Sequence, residues 1–270
     1  MSLRDLSAEE GRRAFGENAA NYDAARPAYP DWVFDTLQSR CGLGPGTRLF
    51  EIGPGTGLAT AQLAARGATE ILAIEPDARL ADFLARKFAG LRGLAVMNTT
   101  FEDAKLEPGR FDLGAAATSL HWMDQRVALA KVANALRSGG WWAAWWNVYG
   151  DPERDDAFHE ATKDLLANQP KSPSHYAGLP HPFGLDTQAR LGDLDSIGAF
   201  EEMDVDIRKW TVTMSSAEVR AFYATFSQFS VLEPSERERL LDGLAEIADK
   251  RFAGRVERNI CTALYTTRRR

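Results

Sequence analysis

The residues best suited to chemistry lie in EIGPGTG, residues 51 to 57, where an apolar run meets one carboxylate and three alternating glycines. Arg48, Leu49, Phe50 and Ile52 suit a buried strand, and Glu51 lies where that strand gives way to a loop. Gly53, Gly55 and Gly57 suit a tight turn in which backbone approaches a ligand with no Cβ in the way. Pro54 stiffens the turn and removes one donor. A carboxylate at the carboxyl edge of a sheet sits in the usual ligand crevice of an open α/β fold. The next apolar run, 71 to 74, closes on Glu75, near the roughly 20-residue offset at which a second-strand acid meets ribose hydroxyls.

Spacing separates two classes of nucleoside cofactor. A dinucleotide site wants G-x-G-x-x-G, which brings a pyrophosphate to backbone amides and to a helix N-terminus. Here the spacing is E-x-G-x-G-x-G. The carboxylate repels a diphosphate but tolerates S-adenosylmethionine, which carries a sulfonium and an ammonium and no phosphate. The ordinary alternative for one such carboxylate is a solvated cap or an ion pair. Two acids in sequence with three glycines weigh against it.

These motifs extend along the chain as IEPDARL, FEDA at 101 to 104, FDLGAAATSLHWMD at 111 to 124 and ALRSGGWWAAW at 135 to 145. Together they resemble class I S-adenosylmethionine-dependent methyltransferases. The resemblance extends to the type 11 small-molecule branch and to proteins similar to trans-aconitate methyltransferase, with an opening F-x-x-x-A-x-x-Y-x-x-x-R-P-x-Y-P carried by Phe15, Ala19, Tyr22, Arg26, Pro27, Tyr29 and Pro30. It covers residues 15 to about 148 well and the remainder loosely.

The resemblance implies a set of roles. S-adenosylmethionine is the cofactor, with S-adenosylhomocysteine as its product. Tyr22, Arg26, Glu51, Gly53, Gly55, Gly57, Glu75, Pro76, Leu80, Phe101, Glu102, Asp103 and Thr118 fall on the cofactor side. Leu80 packs against adenine, or else is plain helix-to-sheet core. One of Glu102 and Asp103 accepts the adenine amino group; a carboxylate accepts but cannot donate to a ring nitrogen, which is left to a backbone N–H. Arg26 pairs with the methionine carboxylate or with an acidic substrate, because guanidinium binds carboxylate bidentately, or else it fixes an amino-terminal cap. Arg154 is a second candidate partner for an acid.

His121 is the candidate general base, since an unperturbed imidazole titrates near pH 6.5; the alternative is that it only positions substrate. His121 and Trp122 are expected to end the fourth strand, beside the transferring methyl group. Trp145 and Trp146 either line an aromatic substrate pocket or belong to the core, and alternation sends Trp141 and Trp145 to one face and Trp142 and Trp146 to the other. Methyl transfer is in-line displacement at carbon, so alignment of reactants supplies much of the acceleration, and a carboxylate acceptor needs no base.

The elements that must position these residues follow from periodicity. Strands are expected near 48–52, 70–75, 94–98, 111–117 and 141–147, and helices near 31–39, 58–66, 78–89 and 125–136. That alternation predicts an α/β, Rossmann-like, seven-stranded and mostly parallel sheet with helices on both faces. A helical N-terminal cap spans 1–40, the cofactor-binding core 41–149, an insertion or lid 150–199, and a C-terminal completion 200–270, all as one integrated domain. The last part is read as a strand at 200–213, helices near 216–229 and 235–252, and a final antiparallel strand near 256–267 beside the fifth.

Composition bounds the partners. The 270 residues are 44% hydrophobic and carry 38 acidic and 32 basic side chains, a formal net charge of −6. That balance gives no long-range attraction to nucleic acid or anionic membrane. Cys41 and Cys261 are read as reduced thiols, the amino terminus is too charged for a secretory signal, and a cytoplasmic location with a small-molecule substrate is expected. His159, His175 and His181 lack compact ligand spacing, so no metal is expected. Three readings compete with the enzyme of small molecules: a noncatalytic adenosylmethionine-binding regulator, a methyltransferase of macromolecules, and a nicotinamide-dependent oxidoreductase disfavoured by the glycine spacing.

Overall fold

The computed structural model describes residues 18–170 and 181–270. Phe15, Pro173, His175, Pro180 and any helix beginning near residue 8 lie outside the described residues.

The chain divides into two compact units. The described residues of one are 28–146, 184–207 and 263–270; those of the other are 18–27, 147–170, 181–183 and 208–262. The strands form one seven-stranded sheet in the order β3-β2-β1-β4-β5-β7-β6, with the last strand antiparallel.

In the first unit, α2 (Asp31–Cys41) precedes β1 (Arg48–Ile52), α3 (Leu58–Ala65), β2 (Glu70–Ile74), α4 (Ala78–Lys87), β3 (Leu94–Met97) and β4 (Phe111–Ala117). The next elements are α5 (Gln125–Ala135) and β5 (Leu136–Tyr149). β1 pairs in parallel with both β2 and β4, aligning Glu51 with Ala73 and with Ala115. Side chains short enough to let helices close on both faces dominate β4, and Gly114 is required there: a Cβ would meet the Phe50 ring at 2.4 Å and Trp142 at 2.9 Å. One face carries Val33, Phe34, Leu37, Leu49, Leu63, Leu113, Trp145 and Leu264 as a buried cluster. On the other, Phe50 packs with Phe101, Phe111 and Trp142. Helix α7 (Thr187–Ile197) packs on α5.

Three sequence expectations change. β4 stops at Ala117, so His121 and Trp122 are not strand residues but lie in a 3-10 turn, Leu120–Trp122. The cause is Thr118, whose φ of +54° turns the chain out of the sheet. β5 begins at Leu136 rather than near 141, its register against β4 slipping between Phe111 and Leu113 while Gly139 takes φ +71°. The helix expected near 216–229 is two pieces, α8 (Ser216–Tyr223) and α9 (Ser227–Ser230), interrupted where the Thr225 hydroxyl donates to the Phe222 carbonyl.

In the second unit, α1 (Ala19–Ala25) ends at Arg26, which is extended and followed by Pro27. α6 (Ala157–Leu166) is capped by Asp156, and α8 begins with a capping box between Ser215 and Glu218. α10 (Pro234–Phe252), with Pro at its first turn, packs on α6 and α8. Their apolar faces enclose Phe158, Val219, Phe222, Phe229, Leu240 and Leu244. β6 (Phe200–Ser215) and β7 (Arg255–Arg269), like the end of β5, contribute residues to both units. Among the described residues no helix is long and apolar enough to cross a membrane. Cys41 and Cys261 are separate buried thiols, pushed up by burial to about 12 and about 11.

Candidate active site

The end of β1 delivers Glu51 into the interior. Its side chain is fully buried, and Oε2 accepts from the Thr60 hydroxyl of α3 at 2.6 Å. Oε1 has no hydrogen-bond partner among the described residues, nor does the buried Thr56 Oγ1 of the glycine loop. Burial pushes the Glu51 carboxyl up to about 7, the Thr60 bond working against the rise and the Glu75 charge adding to it. Each orphaned buried polar atom costs about 1–3 kcal/mol, so this corner is built at a cost that a polar ligand can repay.

Glu75, at the end of β2, organises the same loop. Its Oε2 accepts from the Gly55 N–H and its Oε1 from the Asp77 N–H, both at 3.0 Å. Burial pushes this carboxyl up to about 7 as well, partly offset by those two N–H groups. Every oxygen retains a second lone pair for a hydroxyl donor. Asp77 caps α4, and Asn98 pins the turn by donating to the carbonyls of Glu75 at 2.8 Å and of the exposed Pro76 at 3.1 Å. Nothing in the spacing singled out Asn98; its role depends on β3 lying beside β2.

The three glycines share left-handed backbone but differ in purpose. A Cβ on Gly53 would meet Ser119 at 2.7 Å, and one on Gly57 would meet Phe88 at 2.4 Å and Leu84 at 2.6 Å, whereas one on Gly55 would meet nothing within 4 Å. Gly53 and Gly57 are demanded by packing. Gly55 borders open space.

The β4 end closes on this corner. Ser119 donates to the Ile52 carbonyl, tying the two strand ends together. Thr118, a β-branched residue held at positive φ, gives its N–H to the Trp145 carbonyl at 2.7 Å and accepts from the Tyr29 hydroxyl at 3.0 Å. Such backbone strain persists only where surroundings over-determine it, and it gathers at ligand sites. Tyr29 and Ser119 thus adjoin the candidate site without having been singled out by spacing, although Tyr29 stands within the R-P-x-Y-P motif.

The remaining candidates divide. Leu80 is buried in the first turn of α4. Phe101 is core: its ring stacks on Phe50 at 6.0 Å and is 3% exposed. Asp103 is occupied by the Thr100 hydroxyl at 2.8 Å, while the exposed Glu102 uses its backbone carbonyl to hold Lys131 at 2.7 Å. Trp145 is fully buried in edge contact with Tyr29 and Phe34. Trp146 donates from Nε1 to His121 Nδ1 at 3.2 Å, and the imidazole lies 4.7 Å from the Trp122 ring.

Tyr22 and Arg26 belong to the second unit and meet each other there. The Arg26 guanidinium lies over the rings of Tyr22, Tyr149, Phe222 and Phe226 at 4.5 to 5.6 Å and donates to the Thr225 carbonyl at 3.1 Å. In that setting it knits α1 to α8. Arg154 is held by Asn259 Oδ1 at 3.2 Å.

Residues 50–144 match the methyltransferase domain family, and the match contains the glycine corner, Glu75 and His121. An uncharacterized methyltransferase of Mycobacterium tuberculosis is 31% identical over 147 residues, which cover 54% of this chain and 55% of that protein. The matched stretch thus spans about half the length of such relatives. Among solved structures, the Haemonchus contortus phosphoethanolamine N-methyltransferase 2, in complex with S-adenosylhomocysteine, aligns with TM-score 0.58 at 11% identity over 94% of this chain and 57% of that one. The [4+2]-cyclase SpnF aligns with TM-score 0.57 at 16% identity, covering 100% and 98% of the two chains. One fold therefore accompanies different chemical names, and the reaction has to be argued from the site.

Proposed function

We propose that this chain transfers a methyl group from S-adenosylmethionine to a small-molecule acceptor. The observation that carries the reading is the buried Glu51 carboxylate, one oxygen of which lacks a partner among the described residues, at the foot of a loop whose central Gly55 borders open space. An ammonium supplies the missing partner of Oε1. Hydroxyls of a ribose fit the remaining lone pairs of Glu75, and the loop itself needs no phosphate-binding arginine or lysine because the ligand has no phosphate.

The chain's residues then divide the work. Glu51, with Gly53, Gly55 and Gly57, holds the amino-acid end of the donor; Glu75 with Pro76 holds the ribose. Leu80 offers an apolar wall to adenine, and Glu102, whose carboxylate is not engaged by Thr100 as that of Asp103 is, accepts its amino group. Thr118, stretched between Tyr29 and Trp145, borders the acceptor side with His121, Trp122 and Trp146. When bound, the sulfonium supplies an activated methyl carbon. The protein supplies alignment and a dry, fixed surround.

Resemblance to trans-aconitate methyltransferases favours a small acid, and the net charge of −6 weighs against nucleic acid. Incubating the chain with methyl-labelled S-adenosylmethionine and fractionated metabolites, then identifying labelled product by mass, tests this. Label appearing only in protein or nucleic acid would overturn the small-molecule assignment.

A further inference from the structure

The bond between Trp146 and His121 fixes where the imidazole proton lies. An indole N–H only donates. Its Nε1 stands 3.2 Å from His121 Nδ1, so Nδ1 must present a lone pair, and the proton of the neutral ring resides on Nε2.

The indole is not free to turn away. Trp146 is 2% exposed and packs edge-on against the Tyr265 ring at 5.9 Å. Gly184 lies flat against it: a Cβ there would meet the Cβ and Cγ of Trp146 at 2.8 Å each. The Tyr265 hydroxyl in turn donates to the Gly184 carbonyl at 3.0 Å, locking that platform in place. Gly184 has no positive φ to explain it, so its lack of a side chain is explained by the indole. Tyr265, Gly184, Trp146 and His121 thus form a chain of contacts ending on one ring nitrogen.

We propose that His121 serves methyl transfer as a hydrogen-bond donor whose tautomer is set by Trp146, and not as the general base. A ring already protonated at Nε2 cannot accept a proton there, and taking one at Nδ1 requires the indole bond to break. The inference rests on the methyltransferase reading and narrows its acceptor. The nucleophilic atom arrives without a proton to be removed by His121, as an oxygen anion does, and the substrate offers a lone pair to an N–H. Trp146 is the positioning residue and acts through His121.

The test is a long-range proton–nitrogen correlation spectrum of the full-length, nitrogen-labelled chain at neutral pH, recorded alone and with S-adenosylhomocysteine. The chain has four histidines, and His121→Gln identifies the signals of interest by their loss. The expected pattern is a single neutral Nε2–H tautomer for His121, with Trp146→Phe converting it to a mixture. An Nδ1–H, averaged or doubly protonated pattern in the wild-type chain would overturn the inference. If Trp146→Phe does not fold, the wild-type pattern decides alone. Calorimetric binding of S-adenosylhomocysteine reports separately on the methyltransferase reading, so a wrong tautomer with intact binding defeats this inference only, and a correct tautomer without binding defeats the other.

Discussion

Glu75 reaches back from the end of β2 to accept the backbone N–H of Gly55 at 3.0 Å, so the acid proposed for the ribose also sets the shape of the loop proposed to face the donor. Changing either residue therefore alters more than one contact. Glu75→Gln can reproduce one of the two bonds to Gly55 and Asp77 but places an amide N–H against the other donor. The expected result is a loss of about 1–3 kcal/mol of stability together with weakened S-adenosylhomocysteine binding, read by thermal melting and calorimetry.

The glycines separate into two experiments. Gly55→Val fills open space at φ +58° and should abolish donor binding while leaving a folded, melted-cooperatively protein, at a strain cost of about 1–3 kcal/mol. Gly57→Ala drives a methyl group toward Leu84 and Phe88 and should lower stability by about 2 kcal/mol or more, even with no ligand present. Equal effects of the two on stability and binding would contradict the division of roles.

Glu51→Gln keeps the volume of a fully buried carboxylate and removes its charge. At pH 8 the unliganded variant should be at least as stable as the wild type, because the wild type holds a buried charge with an unpartnered oxygen. Its affinity for S-adenosylmethionine should fall about 10- to 100-fold, or about 1.4–2.7 kcal/mol.

Acidity supplies a further check. Glu51 and Glu75 are raised to about 7 in the folded chain, above the ordinary value of about 4.3 in the unfolded one. The folded state therefore binds more protons between those values, and their contribution to stability is present at low pH and falls as pH rises through about 7. Comparing unliganded wild type with Glu51→Gln from pH 5 to 8 isolates the Glu51 share of this slope. A cationic ligand favours the charged carboxylates, so its binding near pH 7 should release protons, visible as a calorimetric enthalpy that depends on the buffer.

Much of this candidate corner, as a place where buried acids meet a glycine loop, was legible from the residues in order. Glu51, the glycines and Glu75 lie at the ends of short apolar runs, and local chain geometry alone carries them to one edge of the sheet. The contacts that join distant segments were not legible. Asn98 under Glu75, Ser119 on Ile52 and Trp146 on His121 depend on which strands are neighbours and where each one stops. The left-handed Thr118, which moves His121 out of the strand, has no signature in a β-branched side chain that ordinarily avoids that conformation. Arg26 illustrates a different gap: a guanidinium suits a carboxylate and an aromatic surround equally, and only packing distinguishes them.

The insertion and C-terminal helices are held by a buried ion pair. Arg258 and Asp156 meet at 2.9 Å with both side chains 6% exposed, and Arg258 also donates to the Tyr223 hydroxyl. Burial works to raise the Asp156 carboxyl, but Arg258 and the N–H groups of His159 and Asn259 hold it below the usual range. Asp156→Ala leaves the guanidinium buried and should cost about 3–5 kcal/mol in denaturant unfolding. The double variant Asp156→Leu with Arg258→Met should be less damaged than Asp156→Ala.

The most direct test of the account is isothermal titration of the full chain with S-adenosylmethionine and with S-adenosylhomocysteine, beside reduced nicotinamide dinucleotide as a control. The account predicts saturable one-to-one binding of both adenosyl ligands, weakened by Glu51→Gln and lost in Gly55→Val, with no binding of the dinucleotide. A chain that melts cooperatively yet binds neither adenosyl ligand, or binds the dinucleotide instead, would contradict it.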